Sequence, residues 1–201
     1  MPRRYELKRR AERRDETRRR IVDATIHLHQ TVGPTGASIT AIAREAGVSR
    51  LTVYRHFPDE VSLLRACTST YNVANPPPDV GELVGISDPV RRLEVALEKT
   101  YAYYTDNEAM LLSGADALPT HPALGVALEP FFEGQRQLVG LLASGWEVDG
   151  GPGTTLRAAI GHAIGLLTWR SLRNEQGLTN EQSVRLMIGM VRAGRDLTWF
   201  E

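Results

Sequence analysis

The chain has 201 residues, 42% hydrophobic and 24% charged, the balance of an ordinary globular protein of one or two domains rather than a disordered one. The sequence has no apolar run long enough to cross a bilayer, no apolar stretch behind its arginine-rich start and a single cysteine, Cys67, so a membrane span, a secretory signal and a disulfide are not expected and a cytoplasmic location is. A formal net charge of zero hides an asymmetry: residues 1–66 hold 14 Lys+Arg against 8 Asp+Glu, while residues 67–201 hold 10 against 16, so a basic head with an affinity for anionic partners sits on an acidic body.

Ten of the first 20 residues are basic, Arg3, Arg4, Lys8, Arg9, Arg10, Arg13, Arg14, Arg18, Arg19 and Arg20. The first helix is expected from Asp15, because Ile21, Ala24, Thr25, Leu28 and Val32 recur at helical spacing until Gly33-Pro34 stops them. Ser38 stands directly before the pattern Ile39, Ile42, Ala43, Ala46, and Gly47 follows it, which brackets a second helix of about two turns. Ser49 then caps a third short helix with Val53 and Phe57 on its inner face and Pro58 at its end; Asp59 caps a fourth, through Val61 and Leu64 to about Tyr71. Two short helices joined by a tight glycine turn are the local signature of a helix-turn-helix.

With Val53 and Phe57 turned inward, Arg50, Leu51, Thr52, Tyr54, Arg55 and His56 are left on the outward and flanking faces of the third helix. Leucine, tyrosine and histidine together on one short exposed face do nothing for stability, but each suits DNA. Arginine pairs with guanine edges, an apolar side chain meets a thymine methyl, and Thr, Tyr and His donate to phosphates. The bland alternative is an ordinary three-helix subdomain with a solvated basic helix. His27 and His29 are two apart and point to different faces, so they are no metal pair, and His29 reads as a satisfied histidine at the core edge.

The segment SITAIAREAGVSRLTVYRHFPDEVSLL, ending at Leu64, resembles the helix-turn-helix of the TetR family of bacterial transcriptional regulators, and the likeness covers roughly residues 16–66. The resemblance implies that Arg50 and Leu51 face bases, that Ser49, Thr52, Tyr54 and His56 hold phosphates, and that Thr40 reaches the groove edge, with Arg55 a further base or phosphate contact. It also shows two departures: Glu60 stands where the family commonly has a phosphate-binding lysine, and His29 where it has an aromatic residue. The implied architecture is all-α. A basic arm covers 1–14, a three-helix helix-turn-helix DNA-binding domain 15–66, and a helical effector-binding and dimerisation domain 67–201.

Beyond Tyr71 the prolines and glycines of residues 75–89 read as a loop. Asp88-Pro89 opens a helix carrying Leu93, Leu97, Tyr101 and Tyr104; a short element follows around Ala109–Ala117; and Pro122 opens another helix, which Pro130 should kink or divide. After the break Gly150-Gly151-Pro152-Gly153, one helix is expected over 155–173 and a last one behind the capping box Thr179/Gln182. The pairs Gly161/Gly165 and Gly189/Ala193 are spaced four apart and permit close helix approach, so these two helices read as an oligomerisation module; the resemblance makes it the four-helix bundle of a homodimer on a palindromic operator. The middle helices would then enclose an effector cavity. Tyr101, Tyr104, Met110, Phe131, Phe132 and Trp169 are the large side chains available, which favours an apolar or aromatic effector, although such a stripe is more often plain core.

No GxSxG, HExxH, P-loop or GxGxxG occurs, so an enzyme is not expected, nor is a metal or cofactor. The resulting expectation is a sequence-specific regulator, a repressor released from double-stranded DNA by a small molecule. The alternative is a ligand-independent architectural or protein-interaction factor using the same basic head.

Overall fold

The computed structural model describes residues 2–146 and 153–195, and every regular element among them is a helix. In chain order these are α1 (Pro2–Thr31), α2 (Gly33–Gly36), α3 (Ile39–Glu45), α4 (Arg50–His56), α5 (Glu60–Ala74), α6 (Gly81–Val84), α7 (Pro89–Asp106), α8 (Glu108–Ala117), α9 (Pro122–Ala143), α10 (Thr154–Ala163), α11 (Leu166–Arg170) and α12 (Asn180–Arg195). The side chains of Arg3 and Arg4, and Gly150-Gly151-Pro152 of the expected break, lie outside the described residues.

Two compact units result. The first comprises residues 1–76 and 109–129, the second residues 77–108 and 130–201. The boundary expected at 66/67 instead falls inside α5, and Pro130 lies inside α9 at the point where one unit gives way to the other.

In the first unit Ile21, Val22 and Ala24 of α1, Ile42, Ala43 and Ala46 around α3, Val53 and Phe57 around α4 and Leu63 of α5 form one buried cluster. Burying a side chain of this size contributes about 1.5–3 kcal/mol. A second cluster joins Leu64 to Ala117, Leu124 and Ala127, which ties residues 109–129 to α5. α1 is longer than expected: it begins at Pro2, not Asp15, so the basic arm is helix. The reason is local, since Glu, Arg, Lys and Ala are good helix formers, no breaker interrupts them, and Lys8–Glu12 (3.9 Å) and Glu16–Arg19 pair one turn apart.

In the second unit α12 packs against α7 and α10 over Leu93, Leu97, Tyr101, Leu156, Ile160, Trp169, Met187 and Val191, all buried. The helix expected over 155–173 is broken. α10 stops at Ala163, Gly165 is extended (φ −68°, ψ 135°), and α11 is followed by a wide π turn over Ser171–Glu175. Tyr101 donates to the Ala163 carbonyl (2.6 Å) and Tyr104 to that of Ile164 (2.8 Å), so two buried phenols take over the carbonyls that the break releases. Buried Arg92 likewise donates to the carbonyls of Leu141 (2.8 Å) and Ser144 (3.0 Å) at the end of α9 and of Ile86 (2.9 Å). The capping box forms as expected: Gln182 N–H donates to Thr179 Oγ1 (3.2 Å) and Thr179 N–H to Gln182 Oε1 (2.9 Å).

Candidate nucleic-acid interface

The helix-turn-helix is assembled from short-range hydrogen bonds. Ser38 Oγ accepts from Ala41 N (3.2 Å) to start α3, and Ser49 Oγ accepts from Thr52 N (3.1 Å) to start α4. Between them, Val48 N–H donates to Ala43 O (2.9 Å) and Gly47 N–H to Arg44 O (3.1 Å), the Schellman arrangement that closes a helix on a left-handed residue. Gly47 has φ 62°, and a Cβ there would lie 3.0 Å from Arg20 Nη2, so both backbone and space call for glycine. Arg20 donates to the carbonyls of Ala46 and Gly47, and Arg18 donates to His56 O (3.2 Å) with its guanidinium 4.2 Å from the centre of the Phe57 ring. Two arginines of the basic run are therefore clamps on the motif, a role that sequence spacing did not reveal because it depends on residues 26 to 38 positions away.

Val53 and Phe57 are buried, as expected, and α4 turns its remaining residues outward. Leu51 is 79% exposed, Tyr54 is exposed at 45%, Arg50 and Arg55 are exposed, and Thr52 and His56 are half-buried. Thr40, on α3, is exposed as well. The hydroxyls of Ser49 and Thr52 lie 2.9 Å apart and share one hydrogen bond. Partial burial holds His56 below the ordinary histidine pKa, with Arg55, Arg14 and Arg18 acting in the same direction against Asp15, so at neutral pH it presents a neutral ring. Such a surface offers guanidiniums, an apolar side chain and hydroxyl donors on one short helix.

Glu60 turns toward His121, its Oε1 3.5 Å from Nε2, and sits in the first turn of α5, where a carboxylate suits the helix dipole. His29 is 5% exposed, with Nδ1 3.7 Å from Cys67 Sγ, and its carbonyl accepts from Ser113 Oγ (2.7 Å). Burial, reinforced by His121, lowers its pKa to about 4, and burial raises the Cys67 thiol to about 12, so neither group is reactive near neutrality. His27 is exposed on another face, beside Glu45 (3.9 Å). Among the described residues no group of three or more His, Cys, Asp or Glu is placed to hold a metal.

Of the six side chains considered for an effector, Tyr101, Tyr104 and Trp169 meet: the Tyr104 and Trp169 rings stand edge to face at 5.7 Å, and Trp169 Nε1 donates to Asn180 Oδ1 (3.1 Å). Their polar groups are engaged within the core. Phe131 and Phe132 contact each other edge to face at 5.7 Å, Phe131 being exposed, and Met110 belongs to the first unit. Of the four small residues, Gly189 and Ala193 are exposed on α12, in one stripe with Leu186 and Met190, which are 44% and 49% exposed. Gly161 faces Val139 of its own chain and Gly165 is the helix break. Within the chain α10 and α12 approach closely at Gly194, where a Cβ would lie 3.2 Å from Ala159 Cβ.

A Schellman turn between two serine-capped helices, with an outward face rich in DNA-matching side chains, defines a helix-turn-helix protein. Residues 21–67 match the family model described as bacterial regulatory proteins, tetR family. Over those residues the chain is similar to the TetR family. It is 42% identical over 52 residues, 26% of its own length, to the HTH-type transcriptional regulator SrpR of Pseudomonas putida, and that match spans only 24% of the relative. Over 92% of its length it is similar in fold to NalD of Pseudomonas aeruginosa, the secondary repressor of the MexAB-OprM multidrug efflux pump (TM-score 0.63, 21% identity, 98% of that chain). It is also similar over 88% to the transcriptional regulator FadR of Bacillus subtilis in complex with stearoyl-CoA (TM-score 0.59, 13% identity, 97% of that chain). No described helix is long and apolar enough to cross a membrane.

Proposed function

We propose that the protein is a sequence-specific transcriptional regulator that binds a palindromic operator as a homodimer and represses until a small molecule releases it. The outward face of α4 carries the DNA-binding part: Arg50 and Leu51 read base edges, while Ser49, Thr52, Tyr54, Arg55, His56 and Thr40 hold phosphates and groove edge. The stripe Leu186, Gly189, Met190 and Ala193 on α12 supports assembly, since these residues share one face and a second copy would cover it. The repressor sense and the effector are supported by what is known of the fold's relatives, NalD being a repressor and FadR having been solved with stearoyl-CoA. An apolar or aromatic effector fits the exposed Phe131 and its neighbour Phe132 better than the internally satisfied Tyr101, Tyr104 and Trp169.

A binding selection from random DNA, run with and without a metabolite panel, tests all three parts, because it yields a sequence, its symmetry and its ligand response. Arg50→Ala should then cost about 1–3 kcal/mol on the selected site and relax one base pair per half-site. An unchanged ratio of selected to random-DNA affinity would remove α4 as the reading element.

A further inference from the structure

The face of α1 that buries Ile21, Ala24 and Thr25 in the helix-turn-helix core is continued toward the N-terminus by Arg18, Arg14 and Arg10, four residues apart. On a helix that served only the fold, this spacing would repeat small or apolar residues or alternate charge. Arginines four apart repel each other instead. Arg10 and Arg14 are exposed, as is Arg13 beside them, and none of the three has an ion-pair partner among the described residues. The carboxylates of the stretch are mostly engaged elsewhere: Glu12 faces Lys8 and Glu16 faces Arg19, while Glu6 stands at the outer end of the row and Asp15 flanks it. The row is continuous with α4, because Arg18 donates to the carbonyl of His56 at the last turn of that helix and Arg14 lies close enough to His56 to act on its charge. At 1.5 Å per residue Arg14 and Arg10 stand about 6 Å apart along the helix, a separation comparable to that of neighbouring phosphates on one DNA strand.

We propose that Arg10, Arg13 and Arg14 form a second nucleic-acid contact, a rigid helical rail that holds backbone phosphates of the duplex flanking the bases under α4. The proposal rests on the reading of α4 as the DNA-facing helix. A duplex is the occupant because the rail runs directly off α4, and because the stretch offers only Tyr5 and Leu7 where a helix lying in a membrane surface needs a broad apolar face. Phosphate contacts of this kind add affinity and salt dependence without reading sequence.

The test uses the full chain and its triple variant Arg10→Gln/Arg13→Gln/Arg14→Gln, which retains good helix formers and leaves the clamp Arg18 intact. Both are titrated with the duplex obtained by selection, once trimmed to the selected sequence and once extended by about one helical turn on each side. On the long duplex the variant should bind roughly tenfold or more weakly, and the slope of log affinity against log salt should become shallower by about 2–3, some 0.9 per phosphate lost. Trimmed DNA and base preference should be unaffected. Identical salt slopes on the long duplex would overturn the rail, as would loss of binding to phosphatidylglycerol vesicles with the long duplex unaffected. Arg50→Ala, measured alongside, separates the two ideas: unchanged specificity there, with the rail effect intact, sinks the reading of α4 and leaves a non-specific basic helix.

Discussion

The two compact units satisfy their polar groups over different distances along the chain. In the helix-turn-helix unit the bonds that begin its helices, Ser38 to Ala41, Ser49 to Thr52 and Asp59 to Ser62, each span three residues. In the second unit the bonds at the ends of α10 and α9 are long, Tyr101 to Ala163 and Tyr104 to Ile164 spanning 62 and 60 residues and Arg92 to Leu141 spanning 49, and Asn180 at the start of α12 reaches 79 residues back to Tyr101. Local capping costs little chain entropy and gives each short helix its ends before any packing occurs. Long-range capping allows a helix to break at Gly165 only because phenols from α7 are already waiting there. The helix starts of the first unit are therefore set locally, whereas the break at Gly165 in the second unit exists only in the folded state.

Substitutions can break that contrast, beginning with the largest effect. Trp169→Ala removes a fully buried side chain together with its bond to Asn180, and should cost about 3–5 kcal/mol in urea denaturation. A loss below about 1 kcal/mol would mean the second unit is not organised around that ring.

His29 adds a buried long-range polar contact to the first unit, beside Cys67. Its folded pKa of about 4 lies below the ordinary 6.5, so the unfolded chain takes up the proton first. Its contribution is complete above pH 6.5 and is lost as pH falls toward 4, about 3 kcal/mol in all. His29→Gln should flatten this part of the stability profile between pH 7 and 4.5, and a variant that loses as much stability as the wild type over that window refutes the assignment.

Tyr101→Phe leaves the Ala163 carbonyl without its donor and should cost about 1–3 kcal/mol, a penalty that the local bonds of the first unit should not match. Gly47→Ala forces φ 62° on a residue with a Cβ and crowds Arg20; about 1–2 kcal/mol should be lost, and with it DNA affinity, since the turn sets the angle of α4. Smallest of all, Ser38→Ala should cost about 1 kcal/mol, and a much larger loss would show that the start of α3 depends on more than its cap.

How far each region could be read follows from the same distances. Ser38, Gly47, Ser49, Asp59, Asp88 and the Thr179/Gln182 box each announce a helix end within a few residues, and every one of those ends is where the spacing puts it. The outward set on α4 was likewise legible, because burying Val53 and Phe57 leaves no other face for Arg50, Leu51 and Tyr54. The start of α1 carries no cap or apolar period to mark it, and only high helix propensity with no breaker extends the helix back to Pro2. The break in the helix expected across 155–173 leaves no trace in the sequence, because the apolar period continues through Gly165 where the backbone does not.

By itself, the sequence determined the all-α class, the helix-turn-helix with its caps and turn, and the side chains that α4 presents, since each depends on propensity, period and a glycine within one or two turns. Only the tertiary structure decided that Arg18 and Arg20 clamp the motif, that Glu60 turns to His121, that Tyr101 and Tyr104 cap a broken helix, and that α10 and α12 of one chain approach closely at Gly194. Those outcomes depend on partners 26 to 62 residues away, and no local pattern encodes which distant carbonyl or ring a side chain will meet.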